Sequence, residues 1–158
     1  MENLLLKEKK ILIIEDDPDH ADLILDILEI ENAEVKVILM RDGQEVIDYF
    51  METYSSASPT TSSGQEQAVK AGIKRGIGRH PQIDLIILDL NLPKINGMDV
   101  LKFLKKNSRY CSIPIVILST SSDQDTIDKA YKAGANAFIT KPTSYDEFVE
   151  KKKLLKIC

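Results

Sequence analysis

Five polar side chains stand where short apolar runs of this sequence end. Asp16 and Asp17 follow the first run, Asp89 follows another, and Ser119 and Lys141 follow two more. Short apolar runs between breakers are typical of strands buried on both faces of a parallel sheet. One such acid in isolation would more simply begin a turn. Because ligands bind at the carboxyl ends of the strands in open α/β sheets, we expect these five side chains to lie together at one sheet edge.

The chemistry of such a group follows from its charges. Three carboxylates crowded at one edge repel one another, and a hard divalent cation relieves that repulsion. Mg²⁺ prefers carboxylate oxygens and retained waters, which leaves positions for phosphate oxygens. Lys141 can then neutralise one phosphoryl oxygen while Ser119 donates a hydrogen bond to another. The residue types therefore favour phosphoryl transfer to an in-line nucleophile.

The elements that must position these side chains alternate along the chain. Apolar runs predict strands at 10–15, 35–40, 85–89, 115–118 and 137–140. Amphipathic stretches after each run predict five helices. Asp17-Pro18 and Asp123 are expected to cap the first and fourth, turns at Asp42-Gly43 and Asn96-Gly97 precede the second and third, and Ser144 starts the fifth. Asp17 and Ser119 therefore have a structural alternative as helix caps. Alternating strands and helices predict an α/β fold with a parallel five-stranded sheet covered on both faces.

One stretch, residues 54–82, breaks this alternation. It begins with a segment rich in Ser, Thr and Pro, and it continues through a basic, glycine-containing segment at 70–79. Loops this long are unusual in a compact domain and are commonly functional or disordered. We interpret 54–82 as an insertion, either disordered or in contact with a partner, within a single domain over 1–158.

Composition excludes several classes of protein. The 158 residues are 43% hydrophobic and 29% charged, with a net charge of −4 from 21 basic and 25 acidic side chains. This balance gives no basic face for nucleic acid, and the apolar runs are too short to span a membrane or to form a signal peptide. The two cysteines, Cys111 and Cys158, lack metal-ligand spacing. We expect a cytoplasmic protein.

Together these motifs resemble the receiver domain of two-component response regulators. The resemblance spans about residues 9–156 and rests on Asp16-Asp17, Asp89 followed by Pro93 and Gly97, Ser119-Thr120 and Lys141-Pro142. The segments 88–93 and 119–121 are most similar to single-domain regulators paired with bacterial phytochrome-type histidine kinases. This resemblance implies a doubly wound, flavodoxin-like receiver fold with strand order 2-1-3-4-5.

The resemblance also implies a role for each acid. Asp89 would be the phosphoacceptor, taking a phosphoryl group from a phosphohistidine of a sensor histidine kinase. Asp17 would ligate Mg²⁺ directly, Asp16 would act largely through a bound water, and Asn91 would offer its backbone carbonyl. Asn91 also stands at a position that tunes phosphoaspartate hydrolysis in this family.

Three further residues would complete the reaction and the switch. Lys141 would pair with the phosphoryl group, and Ser119 would turn toward it after transfer. Phe138 occupies the family's aromatic switch position, although an ordinary core role is equally open from the sequence. Thr120 is bulkier than the residue often found there and would narrow access to the phosphoryl group. His20 lacks partners at ligand spacing, as does His80, so we expect both to be solvated.

The function that follows is a phosphorylation-driven switch, not an effector enzyme. Its output would be contact with a downstream protein, self-association or onward relay of the phosphoryl group. The alternative is a Mg²⁺-dependent phosphatase with an aspartyl nucleophile, but such enzymes usually place an acid where this chain has Asn91. A nucleotide-binding domain has no support, because the glycines at 72, 76 and 78 do not follow a strand.

Overall fold

The computed structural model describes residues 8–28, 35–55, 82–144, 146–147 and 150. Strands and helices alternate along the chain as follows: β1 (Lys9–Ile14), α1 (Pro18–Leu28), β2 (Val35–Met40), α2 (Gly43–Ser55), β3 (Leu85–Leu88), α3 (Gly97–Lys106), β4 (Ile115–Ser119), α4 (Gln124–Lys132) and β5 (Ala137–Thr140). The strand boundaries agree with those predicted to within one residue at either end. Most of the predicted insertion and of the predicted fifth helix lies outside the described residues.

The five strands form one parallel sheet in the order β2-β1-β3-β4-β5. This order confirms the predicted doubly wound α/β sheet. Ile14, the last residue of β1, lies opposite Leu88, the last residue of β3. The residues that follow these two, Glu15 and Asp89, therefore leave the sheet side by side.

The strands are largely apolar because both faces of the sheet are covered. Leu12 and Ile14 of β1 belong to the larger hydrophobic cluster, which also contains buried residues of α2, α3 and α4. Ile13, between them, belongs to a smaller cluster with Ile24 of α1. Each large apolar side chain that is fully buried in this way contributes about 1.5–3 kcal/mol. Helix α1 thus covers one face, and α2, α3 and α4 cover the other.

Polar residues continue the row of strand residues that faces α1. Ile13 and Ile87 belong to the smaller cluster, and Ile139 packs against it. Side chains of a strand repeat every two residues, so the residues two positions further on point to the same face. Those residues are Glu15, Asp89 and Lys141. The sheet edge predicted to carry chemistry is therefore reached on the α1 side.

Side-chain caps fix where α3 and α4 begin. The Asn96 side chain accepts a hydrogen bond from the Asp99 N–H at the start of α3. Asp123 does the same for the Thr126 N–H at the start of α4, as predicted. Such caps satisfy backbone donors that a helix leaves unpaired. Within the described residues, no helix has the length and apolar character needed to cross a membrane.

Candidate functional site

Asp89 lies at the carboxyl end of β3 with its side chain only 4% exposed. Its backbone N–H donates to the Ile14 carbonyl at 3.0 Å, which extends the pairing of β3 with β1 by one residue. Its carboxylate accepts two hydrogen bonds, one from Lys141 Nζ to Oδ2 at 3.1 Å and one from the Asn91 N–H to Oδ1 at 3.1 Å. The carboxylate is thus buried at the sheet edge, and two hydrogen bonds fix its orientation there.

Gly97 at the start of α3 lets the backbone approach the residue that carries this carboxylate. A Cβ added at Gly97 would lie 2.0 Å from the Asp89 carbonyl oxygen, and no real side chain tolerates that approach. The Gly97 N–H also donates to the Leu90 carbonyl at 2.9 Å. The absence of a side chain at position 97 therefore lets α3 pack directly on the Asp89 segment.

Three carboxylates converge at this edge. Ligand oxygens of Glu15, Asp16 and Asp89 all lie within 4.8 Å of one another. Glu15 is fully buried, whereas Asp16 is exposed. Burial raises the pKa of the Glu15 carboxyl above its ordinary value, with Asp89 nearby adding to the effect against the opposing influence of Lys141. Oxygen ligands at this spacing fit a hard divalent cation, which would relieve the crowding of negative charge.

Lys141 joins these acids from β5, and it is 4% exposed. Its N–H donates to the Ser119 carbonyl at 2.7 Å, which ties it to the end of β4. Its ammonium donates to Glu15 Oε2 at 2.6 Å and to Asp89 Oδ2 at 3.1 Å. One cation therefore bridges the two buried carboxylates, as the sequence predicted for Lys141 and Asp89.

Asp17 occupies a different place from the one predicted. Its Oδ1 accepts the backbone N–H groups of Asp19 at 2.9 Å and His20 at 3.2 Å, so it caps α1. These hydrogen bonds, chiefly that from His20, lower the pKa of the Asp17 carboxyl. Among the described residues, Asp17 is absent from the group of carboxylates that could share a cation, and Glu15 takes its place. The geometry thus supports a helix-cap role for Asp17. The neighbouring acids that could share a cation with Asp89 are Glu15 and Asp16.

Glu15 is the site residue that the sequence analysis missed. It was interpreted as the last residue of strand one, although an available signal would have identified it. Ile11 to Ile14 followed by Glu15 repeats the pattern of Leu85 to Leu88 followed by Asp89. Because the two strands pair in register at their ends, the first polar residue after each one lies at the same level.

Ser119 and its neighbours form the side of the site contributed by β4. Ser119 is fully buried, and its Oγ accepts the Ser121 N–H at 3.3 Å. Thr120 is exposed, and its Oγ1 accepts a hydrogen bond from the Asn91 side-chain amide at 3.4 Å. The loops after β3 and β4 are thus bridged beside Asp89.

Phe138 lies on β5 and is half-buried against the larger hydrophobic cluster. Its backbone N–H donates to the hydroxyl of Tyr131 on α4 at 3.1 Å. The residue therefore has core contacts, and its backbone is tied to α4. The switch role of Phe138 stays a prediction.

His20 is partly exposed to solvent, but it also has a partner that was not predicted. Its Nδ1 lies 3.0 Å from Lys141 Nζ and 3.8 Å from Glu15 Oε1. The sequence could not show this contact, because His20 and Lys141 are separated by most of the chain. His80 falls outside the described residues.

Comparison with known proteins identifies a family for the chain. Residues 61–153 match the family described as response regulator receiver domain. The matched span contains Asp89, Ser119 and Lys141, whereas Glu15 and Asp16 precede it. The assignment of those two acids therefore depends on the geometry described above.

Two relatives illustrate the similarity. The probable methanogenesis regulatory protein FilR2 of Methanothrix harundinacea is 30% identical over 137 residues, which cover 87% of this chain and 74% of that protein. Response regulator Rcp1 of Synechocystis is 29% identical over 133 residues, covering 84% of this chain and 76% of Rcp1.

Solved structures give the same result. The Mn²⁺-bound form of Rcp1 has a TM-score of 0.71 at 25% identity, covering 94% of this chain and 91% of that one. The phosphorylated cyanobacterial phytochrome response regulator RcpA has the same TM-score of 0.71 at 30% identity, with 94% and 91% covered. The predicted resemblance to phytochrome-associated regulators is confirmed. The chain belongs to the response regulator receiver domain family of two-component systems.

Proposed function

We propose that this protein is a phosphorylation-dependent switch in which Asp89 accepts a phosphoryl group from a phosphohistidine of a sensor histidine kinase. The reaction would require Mg²⁺ and would change a surface that contacts a downstream protein. One observation carries the proposal: a buried carboxylate at a sheet edge is held 3.1 Å from a buried ammonium and within 4.8 Å of two further acids. This arrangement fits an anionic nucleophile that must meet an anionic phosphoryl group.

The carboxylates of Glu15, Asp16 and Asp89 would hold the cation, with the backbone carbonyl of Asn91 as a further ligand. A bound Mg²⁺ supplies positive charge that offsets the three acids and the phosphoryl oxygens. Asp17 would stay outside this set, since its carboxylate caps α1. A Mn²⁺-bound structure of the relative Rcp1 supports the binding of a divalent cation by this chain.

The chain's own residues would carry the transfer. A carboxylate oxygen of Asp89 attacks phosphorus, the bond from phosphorus to the imidazole nitrogen of the kinase breaks, and the imidazole leaves with the electron pair. Lys141 already donates to Asp89 Oδ2, so its ammonium needs little movement to reach a phosphoryl oxygen. Since hydrogen bonds from charged donors are about twice as strong as neutral ones, Lys141 would stabilise the charge of the transferred group.

Two contacts support a switch that reaches the surface. Ser119 is buried at the end of β4, where its hydroxyl can turn toward a phosphoryl group on Asp89. The Phe138 N–H donates to the Tyr131 hydroxyl of α4, so a movement of β5 would also displace α4. A new dianionic group next to such a bistable element is a general way to change a contact surface. We propose α4 and β5 as the surface that a downstream protein recognises.

The experiment that tests the function is phosphorylation by a small-molecule donor. Incubation with Mg²⁺ and acetyl phosphate should add the mass of one labile phosphoryl group to the intact protein. The addition should disappear in Asp89→Asn and persist in the matched control Asp26→Asn, which removes an exposed carboxylate of α1. A phosphoryl group that remains on the Asp89→Asn protein would place the acceptor elsewhere.

The phosphatase alternative predicts a different result in the same assay. Such an enzyme needs a general acid beside the nucleophile, and the Asn91 amide, which lies two residues after Asp89, cannot cycle a proton. Sustained hydrolysis of a phosphomonoester that is lost in Asp89→Asn would favour the phosphatase over the switch.

A further inference from the structure

We infer that His20 is a positioning residue for Lys141: its Nδ1 is the third acceptor of the ammonium and holds that ammonium toward Asp89. This inference rests on the proposed function of Asp89 as phosphoacceptor. It concerns a side chain outside the set of acids, lysine and hydroxyl described for the transfer.

The geometry accounts for all three hydrogens of the ammonium. Lys141 Nζ lies 2.6 Å from Glu15 Oε2, 3.1 Å from Asp89 Oδ2 and 3.0 Å from His20 Nδ1. An ammonium can only donate, so Nδ1 must accept, which places the imidazole proton on Nε2. Three acceptors on three sides fix the direction of a group that otherwise rotates freely about its terminal bond.

The place of His20 in the fold explains why it reaches this group. Glu15, Asp89 and Lys141 continue the strand row that faces α1, and His20 lies in the first turn of that helix. Asp17 caps the same turn and accepts the His20 N–H at 3.2 Å, which fixes the backbone of the histidine. The helix thus brings one acceptor down onto the buried cluster from the solvent side.

The distances indicate what the histidine does. Glu15 attracts the ammonium more closely than Asp89 does, at 2.6 Å against 3.1 Å. Without a third acceptor, the ammonium would be free to pivot about its short contact with Glu15 and away from the nucleophile. Since rates of oriented reactions are sensitive to small displacements of charged groups, this movement would slow phosphoryl transfer.

A pair of substitutions separates the acceptor from the bulk of the ring. His20→Asn keeps an acceptor, because Oδ1 of Asn stands where Nδ1 of His stands, whereas His20→Leu removes it at similar size. With acetyl phosphate and saturating Mg²⁺, His20→Leu should lower the rate constant at saturating donor by about tenfold, the effect of one lost hydrogen bond to a charged group. The half-saturating donor concentration should stay unchanged. His20→Asn should restore the rate to within about twofold.

A second measurement tests whether His20 acts through Lys141. In a Lys141→Met background, His20→Leu should cause no further slowing, because the group that it positions is gone. Asp22→Leu, an exposed change on the same helix, is the control for surface effects. Unchanged rates in His20→Leu, a change confined to the half-saturating concentration, or equal slowing with and without Lys141 would each overturn the inference.

A third readout needs neither metal nor phosphorylation. The ¹⁵N ammonium signal of Lys141 in the metal-free protein should be sharp in the wild type and in His20→Asn, and broadened by solvent exchange in His20→Leu. If His20→Leu unfolds, His20→Ala replaces it in all three measurements. A wild-type protein that acquires no phosphoryl group would refute the proposed function. A Lys141 ammonium signal that is the same in the wild type and in His20→Leu would refute the positioning role alone.

Discussion

Replacing Lys141 by Met removes one charge from the centre of the site while keeping the length of the side chain. The two ion pairs at 2.6 and 3.1 Å are each worth about 5–6 kcal/mol at an effective dielectric constant of about 20. Desolvation of the buried ammonium offsets much of that sum. Removal of one partner from a buried pair costs about 3–5 kcal/mol in measured cases, because the remaining charge is left uncompensated. We expect Lys141→Met to lose a similar amount of unfolding free energy.

The assay is thermal unfolding of the metal-free protein, followed by circular dichroism in the presence of a chelator. A loss of 3–5 kcal/mol corresponds to a melting temperature lower by about 6–20 °C for a domain of this size. Lys102→Met, a change on the exposed face of α3, should shift the melting temperature by less than about 2 °C. Adding Asp89→Asn to Lys141→Met should recover part of the lost unfolding free energy. One of the two carboxylates left without a positive partner is then replaced by a neutral amide.

Two results would refute this reasoning. A Lys141→Met protein with the same melting temperature as the wild type would mean that the ammonium does not offset the charges of Glu15 and Asp89. A double variant that gains, relative to Lys141→Met, only what Asp89→Asn gains in the wild type would mean that the two side chains contribute independently.

Three further predictions concern the same site. Asp89→Asn should raise the metal-free melting temperature by about 2–6 °C by removing a crowded, buried charge, and it should weaken the stabilisation that Mg²⁺ gives the wild type; an unchanged response to Mg²⁺ would count against the acidic cluster as the metal site. Burial raises the pKa of Glu15 above its ordinary 4.5, so the stability linked to its proton is present below pH 4.5 and is lost as pH rises toward neutrality. The melting temperature of the wild type relative to Glu15→Gln should therefore fall over that range, and a flat difference would contradict it. Gly97→Ala should cost about 1–3 kcal/mol and slow phosphorylation because its Cβ meets the Asp89 carbonyl at 2.0 Å. Gly134→Ala, at a φ of +104°, should destabilise the protein without altering the rate.

Local sequence patterns were enough for the architecture. The apolar runs ending before Asp89 and Lys141 predicted buried strands, and the observed strands begin and end within a residue of the prediction. Strand ends in an α/β sheet converge whatever the loops between them do, so Asp89 and Lys141 could be placed together before any coordinates were known. The cap at Asp123 was equally local, because it depends on a backbone donor only three residues away.

The identity of the acid beside Asp89 was decided by strand register, and the sequence signal for it is the repeat of four apolar residues and an acid at 11–15 and 85–89. Glu15, Asp16 and Asp17 are consecutive acids, and their order alone does not show which acid follows β1 and which one caps α1. The pairing of Ile14 with Leu88 places Glu15 at the level of Asp89, and Asp17 lies at the start of α1 as its cap.

The contact of His20 with Lys141 likewise exists only in the folded chain. The sequence by itself determined the elements, their order and the chemical character of the sheet edge, because these depend on periodicity and on residues near one another. The tertiary structure alone decided which side chains share the ammonium of Lys141, because that depends on how α1 lies across the sheet.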